Sequence, residues 1–148
     1  MIKIICHRGN IDGPDHLKEN DPSFIQSALD LGFDVEVDVW LMDEKYYLGH
    51  DEPQYETSLL WLEDRSDKLW IHCKNFEALK SFSLNNNLNY FWHQEDKFTL
   101  TSKGFIWTYP NNELGQSSVC VLPEKGFIGT LDKCHAVCTD YPMRYSGF

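Results

Sequence analysis

The stretch that decides the fold is Asp34–Met42, with the sequence DVEVDVWLM. Valine alternates with a charged residue at its start, so the pattern has the two-residue period of a β-strand. Glu36 and Asp38 then share one face and the valines the other. Two carboxylates this close need a compensating cation, or one of them must be protonated, unless the strand belongs to an antiparallel sheet with a solvated face. Oxygen ligands of this kind suit Ca²⁺ or Mg²⁺.

Strand and helix patterns alternate around this stretch in the first half of the chain. A β-branched run predicts a strand before it, and Asp21-Pro22 predicts a helix start, since Asp caps free amides and Pro fits the first helical turn. Beyond residue 89, short apolar runs follow one another without room for good helices. The elements expected on these patterns are strands at Ile2–Cys6, Leu69–Cys73, Tyr90–His93, Phe105–Thr108, Val119–Leu122 and Ala136–Thr139, and helices from Pro22 to Gly32 and over Phe76–Leu84.

This mixture predicts an α/β fold. We expect a trimmed TIM-type (β/α) barrel, with several outer helices missing in the C-terminal half and one domain over residues 1–148. A complete barrel of this type uses ~250 residues, whereas this chain has 148. Either some helices are absent or the barrel has fewer strands. Strand surface left uncovered by missing helices would favour a homodimer.

Composition excludes several classes of partner. The chain has 13 Lys and Arg against 23 Asp and Glu, a formal net charge of −10, which argues against nucleic acid and anionic membranes. No apolar run approaches the ~20 residues of a membrane span, so stable membrane insertion is not expected. The N-terminus does not have the pattern of a signal peptide, and the five cysteines include no CxxC pair. These features favour a cytoplasmic protein with reduced, buried thiols.

Chemically active residues recur where the predicted strands end. His7-Arg8 follows the first strand and could present a proton donor beside a guanidinium that holds phosphate, although a histidine alone in this position is more often an ordinary loop residue. His50 closes the hairpin that folds back after Met42. His72 and Lys74, two residues apart on the third strand, share one face. Placement at three successive strand ends predicts one common site.

In this order the motifs resemble those of the glycerophosphodiester phosphodiesterase family, within the barrel superfamily that also holds phosphatidylinositol-specific phospholipase C. The matches run from residue 7 to residue 142 and are densest over residues 7–51, so the chain resembles an unusually short member. The motifs that carry the resemblance are His7-Arg8-Gly9, Glu19-Asn20-Asp21, Glu36-Val-Asp38, Gly49-His50-Asp51, Trp107-Thr108 and Thr139-Asp140-Tyr141-Pro142.

The resemblance implies a metal-dependent phosphodiesterase of lipid metabolism, a hydrolase that cleaves a small glycerophosphodiester-like substrate. His7 and His50 match the catalytic pair and would act as general base and general acid. Arg8 and Lys74 match residues that hold the phosphate oxygens. Whether water or a hydroxyl of the substrate attacks phosphorus stays open. The alternative is a degenerate, non-catalytic module that binds a phosphate or phosphodiester on the same fold.

By the same resemblance, Glu36 and Asp38 are metal ligands, and Mg²⁺ or Ca²⁺ is the expected ion. The family has an acidic residue two positions before the third-strand lysine, where this chain has His72. Imidazole in place of a carboxylate shifts the preference toward Mn²⁺ or Zn²⁺. If His72 is not a ligand, the site would hold metal loosely or lack it.

The remaining candidates are residues of the site wall or its supporting shell. Glu19 matches a family residue near the metal, and Asp51 either orients His50 or fixes the hairpin. His93 either contacts substrate or has a structural role, and Trp107 either walls the pocket or belongs to the core. Asp140 is interpreted as a turn and strand-end anchor rather than a catalyst.

Overall fold

A computed structural model describes residues 1–147 and contains, within that range, ten strands and three α-helices. Two 3₁₀ turns, at Pro123–Lys125 and Pro142–Arg144, complete the regular structure. The helices are α1 (Pro22–Asp30), α2 (Leu59–Glu63) and α3 (Phe76–Phe82). The strands are β1 (Lys3–His7), β2 (Asp34–Met42), β3 (Lys45–Leu48), β4 (Tyr55–Thr57), β5 (Leu69–Cys73), β6 (Tyr90–Phe91), β7 (Phe98–Leu100), β8 (Ile106–Thr108), β9 (Ser118–Val121) and β10 (Ala136–Thr139).

All ten strands belong to one sheet. Neighbouring strands are parallel along the order β6-β5-β2-β1-β10-β9-β8. The last four residues of β2 pair antiparallel with β3, and β3 pairs antiparallel with β4. At the other end of the sheet, β7 runs antiparallel to β8. Because the central strands are parallel, their carboxyl ends meet at one edge of the sheet.

The expectation of an α/β fold, a trimmed TIM-type (β/α) barrel, is wrong, because the structure consists mostly of strands. The sheet curls into a half-barrel, and the three helices within residues 1–147 are short and lie between Pro22 and Phe82. Among these residues, β6 pairs only with β5, and its other edge meets the backbone amide and the hydroxyl of Ser102. The link from β8 to β9 spans only residues 109–117, below the ~10–12 residues that a crossover with a helix needs.

The two faces of the sheet pack differently. The valines of β2 point outward, where Val35, Val37 and Val39 pack with the apolar sides of α1 and α3. The opposite, concave face is filled lower down by aromatic side chains, with Trp107 stacked 4.6 Å from Phe91. Glu36 and Asp38 lie on this concave face above the aromatic layer. The solvated antiparallel alternative is therefore wrong for β2, which has parallel neighbours on both sides.

Several local predictions are confirmed. Asp21 caps α1 by accepting the amide of Ser23, with Pro22 in the first turn. β2, β5 and β10 have the predicted bounds, whereas β4 and β7 were not predicted. The five cysteines are free thiols, and all but Cys134 are buried. Within residues 1–147, no helix combines the length and the apolar character needed to cross a membrane.

Candidate functional site

The predicted residues converge at the carboxyl edge of β1, β2 and β5. In the register of the sheet His7 lies opposite Glu36, and Asp38 lies opposite His72. The alternation of β2 and β5 turns these side chains toward the concave face. Nε2 of His7 lies 3.9 Å from Oε2 of Glu36, and Nδ1 of His50 lies 3.4 Å from Oδ2 of Asp38. One site therefore holds both histidines and both carboxylates.

The two carboxylates have opposite electrostatic behaviour. Burial and the adjacent charge of Asp38 raise the pKa of Glu36 well above its usual range. Burial opposes ionisation of Asp38 too, but the imidazoles of His50 and His72 and the Arg8 guanidinium outweigh it and hold its pKa well below its usual range. Without a cation, the pair is stable with Glu36 protonated and Asp38 charged.

Asn20 holds Asp38 from two directions. Its side-chain amide donates to Oδ2 of Asp38 at 2.9 Å, and its Oδ1 accepts the backbone amide of Asp38, also at 2.9 Å. Asn20 is fully buried and has a φ of +66°, in the left-handed region. Asn tolerates this region better than most residues. The position just before α1 thus fixes one carboxylate of the site.

His7 is oriented by a residue from the other end of the chain. Its Nδ1 lies 2.7 Å from Oδ1 of Asp140, which also accepts the amide of Asn10 at 2.8 Å. Hydrogen bonds from His7 outweigh the effect of burial and lower the pKa of Asp140, so this carboxylate is charged. The proton of a neutral His7 then sits on Nδ1, which leaves Nε2 free to accept a proton in the site.

Arg8 lies in the middle of the acidic residues. Its Nε is 3.4 Å from Oδ2 of Asp38, its Nη1 is 3.3 Å from Oε1 of Glu19, and its Nη2 is 3.1 Å from Nε2 of His50. Arg8 has a φ of +55°, an uncommon conformation for a residue with a side chain. In this arrangement its guanidinium offsets the negative charge of the carboxylates around it. To bind a phosphate, the guanidinium would have to turn away from them.

The contact with Arg8 also sets the state of His50. A guanidinium only donates, so Nε2 of His50 accepts, and the proton of the neutral ring is on Nδ1 facing Asp38. Asp51 lies 3.7 Å from Nε2 of His50, but its side chain is 95% exposed. Asp51 is thus a weak partner of His50 at the rim of the site.

Lys74 follows β5 on the same face as His72. Its ammonium acts on two groups of the site: it partly offsets the rise in the pKa of Glu36 that burial causes, and it adds to burial and His72 in lowering the pKa of His93. Within residues 1–147 its Nζ makes no hydrogen bond or ion pair. Unlike Arg8, this cation is available to an incoming anion.

The other predicted wall residues have separate roles. Glu19 is buried and accepts hydrogen bonds from Arg8 and Asn10, so it supports Arg8. His93 is buried beside the site, stacked on Tyr109 with ring centroids 4.4 Å apart. Trp107 belongs to the aromatic core beneath the site and is 3% exposed.

Three supporting residues were not predicted in these roles: Asn10, Asn20 and Asp140. The only signal in the sequence was their position within or beside motifs that follow strands or precede a helix. Asp140 was interpreted as a strand-end anchor, and it also accepts a hydrogen bond from His7.

Comparisons of this chain with protein-family models, with curated proteins and with solved structures find no match.

Proposed function

We propose that this protein is a divalent-cation-dependent phosphodiesterase that cleaves small phosphodiesters. The observation that carries the proposal is the meeting of His7, Glu36, Asp38 and His72 on three adjacent strands, with His7 held by the buried Asp140. Acidic and basic groups are both needed for this chemistry, because a cation must be held and an anionic substrate must be bound. The order of the motifs along the chain supports the same reaction class.

A cation fits the residues present. Glu36, Asp38 and His72 each offer a ligand atom, and these atoms lie within 4.8 Å of one another. Oδ1 of Asp38 is buried and receives no hydrogen bond from any residue in the range 1–147. A buried carboxylate oxygen without a hydrogen bond is costly, and a cation is a natural partner for it. When bound, a divalent ion would polarise a phosphoryl oxygen and offset charge that develops on it.

Different residues around the cation would bind the phosphate and carry out the two proton transfers. Lys74 would hold a non-bridging oxygen of the phosphate. Nε2 of His7 would take the proton of the attacking hydroxyl, which belongs either to water or to the substrate, as the new P–O bond forms. The bond to the leaving alcohol breaks, and that alcohol needs a proton. Once Arg8 turns toward the phosphate and releases Nε2 of His50, that nitrogen would take up a proton from solvent. The resulting imidazolium would then donate this proton to the leaving alcohol.

Hydrolysis of bis-p-nitrophenyl phosphate tests the proposal. We expect turnover that stops in chelator and returns with a divalent ion. We expect His7→Gln to lower kcat by at least about 10²-fold, the usual contribution of a general base, with an unchanged circular dichroism spectrum. His135→Gln, at the opposite edge of the sheet, should keep full activity. Activity that resists the chelator, or that survives in His7→Gln, would reject the proposal.

One observation favours the second candidate, a binding module without turnover. Arg8 is paired with carboxylates and occupies Nε2 of His50, so neither is free in this arrangement. A module of this kind would bind a non-hydrolysable phosphodiester in calorimetry and release no p-nitrophenol at any divalent ion concentration. Release of p-nitrophenol dependent on His7 excludes it.

A further inference from the structure

His72 is fixed in one orientation by its surroundings. Its ring stacks on Phe91 with centroids 5.2 Å apart and planes within 11°. Nε2 lies 3.0 Å from the backbone carbonyl oxygen of His93. Because a carbonyl only accepts, Nε2 must carry a proton and donate it. The atom that faces the acidic cluster is therefore Nδ1, which has a free lone pair whenever the ring is neutral.

Nδ1 of His72 lies beside a carboxylate oxygen that accepts no hydrogen bond. It is 3.2 Å from Oδ1 of Asp38, which is fully buried, yet the geometry there is not that of a hydrogen bond. Both atoms instead border the space shared with Glu36. The candidate ligand atoms all lie within 4.8 Å of one another, which is close enough for one ion, since opposite ligands around an ion are roughly 4–5 Å apart.

We infer that His72 is a nitrogen ligand that makes this cluster select transition-metal ions such as Zn²⁺ and Co²⁺ over Mg²⁺ and Ca²⁺. This inference rests on the proposed function, since it specifies the ion of the same site. Imidazole binds these ions well, whereas Mg²⁺ and Ca²⁺ take oxygen ligands. Metal-bound histidines commonly donate their second N–H to a backbone carbonyl, as His72 donates to His93.

Metal binding without substrate tests the inference. Chelator-stripped protein is titrated by calorimetry with Co²⁺, Zn²⁺, Mg²⁺ and Ca²⁺ for the wild type, His72→Glu, His72→Gln and the control His135→Gln. We expect the wild type and the control to bind Co²⁺ and Zn²⁺ at least about 10²-fold more tightly than Mg²⁺. His72→Gln should lose about 10–100-fold in Co²⁺ affinity, and His72→Glu should lose most of the preference over Mg²⁺.

Pulsed electron paramagnetic resonance with bound Mn²⁺ identifies the ligand atom directly. The wild type should show coupling to an imidazole nitrogen that labelling of histidine with ¹⁵N changes. Because His50 also contacts Asp38, the assignment to His72 requires that His72→Gln lose this coupling and that His50→Gln keep it. Absence of nitrogen coupling in the wild type, or an equal Co²⁺ to Mg²⁺ preference in the wild type and His72→Glu, overturns the inference.

The two proposals fail in different ways. Nitrogen coupling with no phosphodiester cleavage retains the ligand assignment and rejects the proposed function. Cleavage that Mg²⁺ supports as well as Zn²⁺, and that His72→Gln preserves, retains the function and overturns the ligand assignment.

Discussion

Nδ1 of His7 and Oδ1 of Asp140 lie 2.7 Å apart across the parallel pair of β1 and β10. Asp140 is nearly inaccessible, and its backbone amide donates to Oε1 of Glu124 at 2.8 Å. Residues 133 positions apart thus form one carboxylate–imidazole pair. The pair fixes which nitrogen of His7 faces Glu36.

This pair predicts the effect of Asp140→Asn. The new side-chain amide can still accept a hydrogen bond from Asn10. It has no negative charge, however, so it no longer stabilises a proton on Nδ1 of His7. We expect kcat for a phosphodiester to fall by about 10²–10⁴-fold, with a smaller change in KM. The matched change Asp64→Asn, at the exposed end of α2, should have no effect. Equal kcat in Asp140→Asn and the wild type would show that His7 does not depend on this carboxylate.

Asn20 predicts a change in stability. Asn20→Ala leaves the backbone amide of Asp38 without its partner, and it removes one donor from Oδ2, which keeps Arg8 and His50 at 3.4 Å. Each lost partner of a buried polar group costs about 1–3 kcal/mol, so the free energy of unfolding should fall by at least that amount. Asn111→Ala is a suitable control, because Asn111 also has a positive φ of +65° but is exposed. Urea denaturation measures both, and equal losses would argue against the role assigned to Asn20.

Glu36 predicts a dependence of stability on pH. Burial, with the charge of Asp38, raises its pKa well above the usual range. Such a group stabilises the fold fully below its unfolded pKa, and that stability is lost as the pH rises through the folded pKa. In chelator, Glu36→Gln should therefore be more stable than the wild type at pH 8, with a difference that shrinks toward pH 4.

Chemical denaturation at the two pH values measures this difference. Glu113→Gln removes an exposed carboxylate and should match the wild type at both. A Glu36→Gln protein that is less stable than the wild type at pH 8 would contradict the assignment of a protonated Glu36.

Lys74 predicts an effect on substrate binding. A hydrogen bond to a charged group contributes about 1.5–3 kcal/mol. Lys74→Met should therefore lower kcat/KM for a phosphodiester by about 10–100-fold. Lys80→Met, on the exposed side of α3, removes the same charge away from the site. Steady-state kinetics of both variants test this prediction. Equal kcat/KM values for Lys74→Met and Lys80→Met would show that Lys74 does not bind the phosphate.

The site was easier to predict than the shape of the sheet. The alternation in β2 gives the face of Glu36 and Asp38, and parallel strands bring their carboxyl ends together. These are local rules, so the neighbourhood of His7, His50 and His72 was predictable. Curling without closure depends instead on how the two-residue β6 and the antiparallel β7 end the sheet, which no local pattern encodes.

The partners of individual side chains were less predictable for the same reason. The contact of His7 with Asp140 requires the non-local pairing of β1 with β10. The contacts of Arg8 follow from its left-handed backbone, which places the guanidinium among carboxylates. Strands β4 and β7 lie at the borders of the sheet and are partly exposed, so they lack the apolar alternation that marks β2.

Cleavage at this site is tested most directly by ³¹P nuclear magnetic resonance of a glycerophosphodiester incubated with the full chain and a saturating divalent ion. The diester signal should convert to a phosphomonoester or a cyclic phosphate, and it should not convert with chelator or with His7→Gln. A diester that stays intact while calorimetry shows the ion bound would contradict the proposed function.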